Sequence, residues 1–367
     1  MSAASEGLSD LPAAALLARA RRGAIGLAAC AALALAAVFA SLAVGPVTIA
    51  PARVVSILAA ALTGGIETAG RAAREAIVVL DIRLPRTVLG LLVGGATATA
   101  GAVMQGMFRN PLADPGLIGV SGGGALAAVM WIVLGAPLAA LLPTQIAGLA
   151  LPFAAFAGAL ATTAALHAIA TREGRTSVAT LLFAGIALGA LAGAGTGLMV
   201  FMASDQQLRD FTFWTFGSLG GATWVKVATA TPFVLALLTL ALTLARALDA
   251  LALGEGGAFH VGVDVERTKR LAIVGVAAGA GAAVAVAGVI GFVGLVVPHL
   301  LRLAIGPGHR ILLPASALLG GALLLGADVA ARTLASPAEL PLGVVTAAIG
   351  APFFLWLLLR QRAALFG

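Results

Sequence analysis

Apolar stretches of about 20 residues, separated by short polar segments, recur along almost the whole chain. Each is long enough to cross the hydrocarbon core of a bilayer as a helix, which makes all its backbone hydrogen bonds internally. Hydrophobic residues make up 61% and charged residues 10% of the chain, whereas a typical soluble domain is about 25% charged. The sequence therefore predicts an all-α integral membrane protein.

Counting about 20 apolar residues per crossing predicts ten transmembrane helices in one domain, 23–367. The predicted spans are 23–44, 84–107, 117–134, 145–169, 177–202, 224–245, 271–290, 294–304, 312–331 and 340–360. The span 294–304 is too short to cross alone, so we expect a broken helix packed among others. Pro51 and Arg53 interrupt the segment 47–66, which we interpret as a surface helix outside the membrane.

The distribution of basic residues predicts that both termini lie in the cytoplasm. Arg19, Arg21 and Arg22 end a polar N-terminal segment, 1–22, that we expect to be cytoplasmic. This topology leaves fourteen of the 22 lysines and arginines inside and eight outside, as the positive-inside rule requires. Because these residues occur in short loops, the net charge of +7 indicates membrane orientation rather than nucleic-acid binding.

Several chemical functions are not supported by the sequence. The two lysines, Lys226 and Lys269, neither follow a glycine-rich loop nor precede Ser or Thr, so the chain has no P-loop. The single cysteine, Cys30, excludes an intrachain disulfide and a cysteine-rich metal site. No paired carboxylates or nucleophile–base arrangement stands out. We therefore predict no catalytic residue, no metal site and no permanently bound cofactor.

One run, Arg109–Gly124, is polar, broken by Pro111 and Pro115, and rich in glycine. Backbone of this kind is tolerated in a membrane protein only at a surface or inside packed protein. We expect Asn110 and Asp114 to cap helix ends beside the two prolines.

This run and six further segments resemble permease subunits of the FecCD type, which belong to ATP-binding-cassette (ABC) importers for vitamin B12, iron-siderophores and haem. The segments, in order, are 83–86, 101–105, 181–189, 291–299, 309–314 and 339–346. The resemblance implies the type II importer permease fold in the bacterial inner membrane. It also implies a homodimer with the path on its axis, two ATPase subunits that bind the ATP, and a periplasmic binding protein.

The segments 208–222 and 262–267 are more similar to haem permeases than to cobalamin ones, as is Arg109 at the start of its loop. The resemblance therefore implies haem as the substrate, delivered by a periplasmic haem-binding protein and moved by alternating access. A ferric-siderophore or cobalamin permease is the alternative within the family. An ion-coupled secondary transporter is the competing class. Such a transporter requires ionisable residues near the middle of its spans, whereas Asp328 lies toward the end of one.

Three arginines, Arg83, Arg86 and Arg332, lie near the external ends of predicted spans. The resemblance implies that they contact acidic residues of the binding protein, and arginine suits such bidentate pairing with carboxylates. The alternative is anchoring at lipid headgroups, with Asp328 pairing with Arg332 one helical turn away.

The longest predicted cytoplasmic connection is 246–270, whose glycine-rich turns are able to separate two short helices. We expect it to dock the ATPase, and a plain solvated loop is the alternative. The residues assigned to coupling are Gly254, Glu255, Gly257, His260, Gly262 and Asp264.

Glycines at every fourth position of the fifth span share one helix face. They are Gly185, Gly189, Gly193 and Gly197. Close helix packing and a smooth wall beside the translocation path both fit this pattern. Met199 and Met202, near the outer end, are candidates to contact a flat apolar ligand.

All four histidines, His167, His260, His299 and His309, fall at or near the cytoplasmic side of this topology, and the chain has no tyrosine. The outer half of the path then offers no histidine, tyrosine or cysteine to a haem iron. We therefore expect haem to pass without strong axial ligation. We expect His299 to be structural and to cap the broken helix.

Overall fold

The computed structural model describes residues 13–65 and 70–366, and nearly all of them are helical. The α-helices are α1 (Ala13–Ala43), α2 (Pro51–Thr63), α3 (Gly70–Ile77), α4 (Leu84–Phe108), α5 (Val120–Leu134), α6 (Ala136–Ala139), α7 (Thr144–Ala170), α8 (Val178–Met202), α9 (Asp205–Thr215), α10 (Trp224–Leu251), α11 (Glu255–His260), α12 (Val265–Ala287), α13 (Val293–Ile305), α14 (His309–Leu334) and α15 (Leu342–Phe366). Two strands, β1 (Thr171–Arg172) and β2 (Arg175–Thr176), form an antiparallel hairpin.

The ten predicted spans correspond to α1, α4, α5, α7, α8, α10 and α12 to α15, with ends that differ by about six residues or fewer except at the start of α1. Among the described residues, six of these helices are long and apolar enough to cross a membrane, namely α1, α7, α8, α10, α12 and α14. Shorter apolar segments form α5, α13 and part of α15. The predicted all-α transmembrane architecture is confirmed.

Helix α4 lies at the centre of the bundle, where it packs against α10, α12, α13 and α14. Twenty of its 25 residues are buried. A Cβ atom added at Gly101 would overlap the carbonyl oxygen of Gly294 in α13, and one at Gly94 would overlap that of Gly320 in α14. Small residues thus let these backbones touch. Because α4 is covered by protein, its polar residues need not face lipid.

The chain is irregular between α12 and α13, as predicted for a broken helix. A neighbouring loop binds the last residue of α12, since the Ser218 amide donates to the Ala287 carbonyl oxygen at 2.8 Å. Phe292 adopts a left-handed conformation, with φ of 68°, immediately before the 13-residue α13. Packed protein therefore supports non-helical backbone at this depth.

Some predicted boundaries need correction. Helix α1 begins at Ala13, inside the segment 1–22 that was expected to precede the first span, and residues 1–12 of that segment lie outside the described residues. The connection predicted as 246–270 is shorter, because α10 continues to Leu251 and α12 begins at Val265. Between them lies a single short helix, α11, rather than two.

Helix α2 occupies most of the segment 47–66, which was predicted to be a surface helix. Helices α3 and α9 were not predicted, although α9 carries a sequence signal. Ser204 accepts a hydrogen bond from the Gln207 amide and Gln207 accepts one from the Ser204 amide, which forms a capping box. The S-x-x-Q spacing at this point was sufficient to predict a helix start.

Candidate functional site

A buried cluster of charged side chains lies where the external ends of α4 and α14 meet. Arg86 of α4 is 7% exposed. Its Nη2 and Nε atoms donate to Asp328 Oδ1 at 2.8 and 3.0 Å, and its Nη1 and Nη2 atoms donate to Glu339 Oε1 and Oε2, both at 2.9 Å. Arg86 therefore joins α4, α14 and the segment that precedes α15.

The two other arginines of interest join the same region to α1. Arg332 Nη2 donates to the Ser41 carbonyl oxygen at 2.7 Å, and its Nε lies 3.4 Å from Asp328 Oδ2. Arg83 Nη1 donates to the carbonyl oxygens of Leu42 and Ala43 at 2.7 and 2.9 Å. Its Nη2 donates to the Val47 carbonyl oxygen, in the segment that follows α1.

The three arginines lie at external helix ends, as predicted, but all three are buried in the described protein. Arg83 and Arg332 are each 3% exposed, and their donors are directed to the chain's own atoms. Their contact with a binding protein stays a prediction. The pairing of Asp328 with Arg332 that was considered as an alternative is present, but Asp328 lies closer to Arg86. Hydrogen bonding from Arg86 lowers the pKa of Glu339, so this carboxylate stays ionised.

A second charged cluster holds the predicted coupling segment on the cytoplasmic side. Lys269 of α12 is 1% exposed, and its Nζ lies 2.8 Å from Glu255 Oε1 in α11. The same Nζ donates to the Thr176 carbonyl oxygen at 2.8 Å and to Glu266 Oε1 at 3.1 Å. One ammonium group therefore ties α11, α12 and the β1–β2 hairpin into one unit. The role of Lys269 was not predicted from the sequence, because its contact with Thr176 spans 93 residues.

The other predicted coupling residues shape this unit. Gly254 and Gly262, on either side of α11, have φ values of 91° and 84°, which glycine adopts without strain. Asp264 Oδ1 accepts a hydrogen bond from the Arg267 amide at 2.9 Å and caps α12. His260 Nδ1 lies 2.6 Å from the Gly256 carbonyl oxygen.

The end of α11 also exposes apolar side chains. Phe259 and Val261, at the end of α11, are 71% and 61% exposed. Gly257 lies in the first turn of the same helix, where an added Cβ would be 3.0 Å from the Leu253 Cβ. Helix α11 thus presents large apolar side chains outward from a rigid base, as a docking element requires.

Replacing Lys269 with methionine is expected to loosen α11 while the bundle stays folded. Glu255 is 44% exposed in its side chain, so water can solvate it once the ammonium is gone, but α11 loses its tie to α12. We expect amide exchange in 255–260 to become about tenfold faster. The control is Arg270→Met, at an exposed position next to Lys269 in α12. Equal exchange in both variants would contradict the tie.

Helix α8 presents an open face where the four glycines lie. Only at Gly185 does the structure show the close packing that the spacing predicts, since an added Cβ there would overlap the Leu117 carbonyl oxygen. At Gly189, Gly193 and Gly197 no described atom lies within 4 Å of an added Cβ. The packing interpretation therefore holds for the first glycine and fails for the other three within the described chain.

Large apolar side chains surround that open face. Phe183, Ile186 and Phe201 of α8 are 74%, 68% and 87% exposed, and Met202 is 55% exposed. Met199 is half-buried. The helix contains no charged, histidine, cysteine or tyrosine side chain. It is therefore a smooth, chemically inert surface on the single chain.

Of the two helix caps expected in the loop after α4, the one by Asp114 is formed, at the start of a single 3₁₀ turn over Pro115–Ile118, whereas Asn110 closes a turn within the loop and caps no described helix. Asp114 Oδ1 accepts a hydrogen bond from the Gly116 amide at 2.8 Å and Asn110 Oδ1 accepts one from the Leu112 amide at 2.9 Å. His299 is buried inside α13 and neither ring nitrogen has a hydrogen-bond partner in the described structure, so the expected cap is not formed, and its structural role stays a prediction.

The family model of the FecCD transport family matches residues 33–360. This range includes both charged clusters and the open face of α8. The chain belongs to the FecCD transport family. Its likeness to FecCD permeases, predicted from seven short segments, thus extends over most of the chain.

Curated FecCD-type relatives carry two kinds of name. The chain is 49% identical over 283 residues to the hemin transport system permease protein HmuU of Yersinia pestis, which covers 77% of this chain and 83% of that protein. It is 47% identical over 286 residues to the cobalamin import system permease protein BtuC of Halobacterium salinarum, covering 78% and 74%. It is 42% identical over 290 residues to the vitamin B12 import system permease protein BtuC of Vibrio parahaemolyticus, covering 79% and 85%.

A solved structure supports the same fold. It is described as an inward-facing conformation and assigned to the metal-chelate type of ABC transporter. The TM-score is 0.77 at 28% sequence identity, and the match covers 91% of this chain and 98% of that one. This FecCD member is therefore a multi-pass permease subunit of an ABC importer in the bacterial inner membrane. It is not itself the ATPase, which is a separate subunit in such importers.

Proposed function

We propose that this FecCD member is the homodimeric permease of a haem importer, which receives haem from a periplasmic haem-binding protein and works with two ATPase subunits. The relative named for hemin transport, at 49% identity, carries the choice of haem. A cobalamin relative at 47% identity makes cobalamin the second candidate. A ferric siderophore is the third substrate that the family resemblance allows.

The open face of α8 supports a translocation path for a large, flat and mostly apolar substrate. Gly189, Gly193 and Gly197 leave room beside the helix, and exposed apolar side chains border it. Because α8 offers no histidine, cysteine or tyrosine to the iron, haem would pass along it without strong axial ligation by these residues. In the proposed dimer, the same face of the second subunit completes the wall.

The unit tied by Lys269 supports the proposed coupling to ATP. An ATPase that binds the exposed apolar residues of α11 would displace α11, the start of α12 and the β1–β2 hairpin together. Helix α12 packs against α4, α7 and α10, so its movement reaches the centre of the bundle. Alternating access then follows from a rigid-body shift rather than from local chemistry.

The external cluster supports a revised role for the predicted docking arginines. We propose that Arg83, Arg86 and Arg332 hold the external helix ends in the shape that the binding protein recognises. Glu339 is the member of the cluster with a partly exposed side chain, at 40%. For Arg86 to contact the binding protein directly, its guanidinium would first have to break its hydrogen bonds with Asp328 and Glu339.

ATP-dependent uptake into proteoliposomes tests the proposed substrate. The vesicles contain the full permease with its cognate ATPase, and the cognate binding protein is loaded in turn with haem, a ferric siderophore or cobalamin. We expect haem accumulation about tenfold above that of vesicles without ATP. An ATPase with its catalytic carboxylate replaced is the matched control.

Each other outcome has a definite meaning. Uptake of cobalamin or a siderophore without haem would overturn the haem assignment and leave the importer class intact. Uptake of haem that persists with the inactive ATPase would overturn the proposed coupling.

A further inference from the structure

A basic cavity opens at the cytoplasmic side between α1, α4, α10, α13 and α14. Its volume is about 610 Å³, within the range of about 300–1,000 Å³ that is common for ligand sites. Its charged and polar lining side chains are Arg19, Gln105, Arg109, Asp249, Arg302 and His309. No role in docking, coupling or translocation has been given to this cavity above.

The charges in the cavity are unbalanced. Three guanidinium groups line it, whereas Asp249 is the single carboxylate among the lining residues. Asp249 Oδ1 is already engaged, since it accepts from the His309 amide at 2.9 Å and lies 2.6 Å from His309 Nδ1. Arg302 Nη1 donates to Gln105 Oε1 at 2.6 Å, which fixes this guanidinium in place without neutralising it.

A buried histidine engages the one carboxylate that lines the cavity. His309 is 5% exposed, and its Nε2 has no hydrogen-bond partner in the described part of the chain. Because an ionised carboxylate only accepts hydrogen bonds, Nδ1 carries the hydrogen that faces Asp249. Nε2 lies against Gly106, another lining residue, where an added Cβ would be 2.6 Å away. In this tautomer Nε2 is an acceptor enclosed beside Gly106, so an anion in the cavity would contact the guanidinium groups and not His309.

Arg109 occupies a backbone position that ordinarily favours glycine. It ends α4 in the left-handed conformation, with φ of 50°. Its Nη1 lies 3.5 Å from the position of a Cβ added at Gly254, at the start of α11. The charged wall of the cavity thus reaches the coupling segment.

We propose that this cavity binds a phosphate group. Guanidinium groups form bidentate hydrogen bonds with phosphate oxygens. Basic pockets between transmembrane helices on the cytoplasmic side suit the headgroups of anionic lipids, and free phosphate presents the same oxygens. An occupant would neutralise the excess of positive charge and brace Arg109 beside α11. This proposal does not depend on the identity of the transported substrate.

Ligand binding to the purified full-length permease tests the site. The probes are inorganic phosphate, with chloride at equal ionic strength as its control, and short-chain phosphatidylglycerol, with phosphatidylcholine as its control. The test variant is Arg19→Gln with Arg109→Gln, two exposed arginines that line the cavity. The matched control is Arg172→Gln with Arg175→Gln, two exposed arginines of the cytoplasmic hairpin.

We expect the cavity variant to bind about 100-fold more weakly, or about tenfold for each arginine removed, and the hairpin variant to bind as the parent does. Binding of phosphatidylglycerol alone would show that the phosphate group belongs to a membrane lipid. Binding of inorganic phosphate alone would show that the site takes free phosphate from solution. Binding of neither probe overturns the proposal. Equal weakening in the two variants also overturns it, because the attraction would then be general to the basic surface.

Discussion

Replacing Asp328 with alanine is expected to lower the free energy of unfolding by about 3–5 kcal/mol, because it leaves buried arginine charge without its carboxylate. Asp328 is 1% exposed and lies against both Arg86 and Arg332. Glu339 remains to pair with Arg86, whereas the Arg332 guanidinium would lose its ion pair and keep its hydrogen bonds to Ser41 among the described residues. The measurement is denaturant-induced unfolding of the full chain in detergent micelles, with the apparent Tm as a second readout.

Arg71→Ala is the matched control for this prediction. Arg71 also forms an ion pair, with Glu75 Oε1 at 2.9 Å, but its side chain is 89% exposed. Exposed pairs contribute about 0–1 kcal/mol. If the two substitutions lower the free energy of unfolding equally, the external cluster does not stabilise the fold. Asp328→Asn separates charge from shape, since it keeps the volume and removes the negative charge.

The external cluster also changes how the docking hypothesis is tested. Charge reversal at Arg83 and Arg86 would place carboxylates beside backbone carbonyl oxygens and beside Asp328 and Glu339. Loss of transport in such a variant would then report misfolding as readily as lost docking. A milder change at Glu339, whose side chain is partly exposed, separates these effects better.

The transmembrane helices were predictable because each depends on a local property, the length of an apolar run. The short α13 and the irregular backbone before it were also predictable, since Pro298 and several glycines stand in a run too short to cross. The cap formed by Asp114 follows from its place beside Pro115. These features need no knowledge of distant contacts.

The ionic partners were not predictable in this way. Arg86 and Asp328 are 242 residues apart, and Lys269 contacts the Thr176 carbonyl oxygen across 93 residues. No spacing rule links such positions, so a terminal arginine looks like a rim residue until its partner is located. The same reason explains the four glycines of α8, whose spacing fixes a shared face but not which neighbour, if any, covers it.

Replacing Gly193 with leucine is expected to lower the rate of ATP-dependent uptake by about tenfold or more without lowering the stability of the single chain. No described atom lies within 4 Å of an added Cβ at this position, and leucine favours a helix over glycine by about 0.8 kcal/mol. The larger side chain would therefore fill the space that the proposed path requires. The measurements are ATP-dependent uptake in proteoliposomes and the apparent Tm of the purified permease.

Gly185→Leu provides the contrast on the same helix. Its Cβ would overlap the Leu117 carbonyl oxygen, so this variant should lose stability as well as transport. Loss of uptake in Gly193→Leu has two structural causes, a blocked path or a disrupted dimer, and the oligomeric state measured by light scattering distinguishes them. Unchanged uptake with an unchanged dimer would mean that the open face of α8 meets lipid. The path would then have to run along another helix, because the glycines at 189, 193 and 197 share that face.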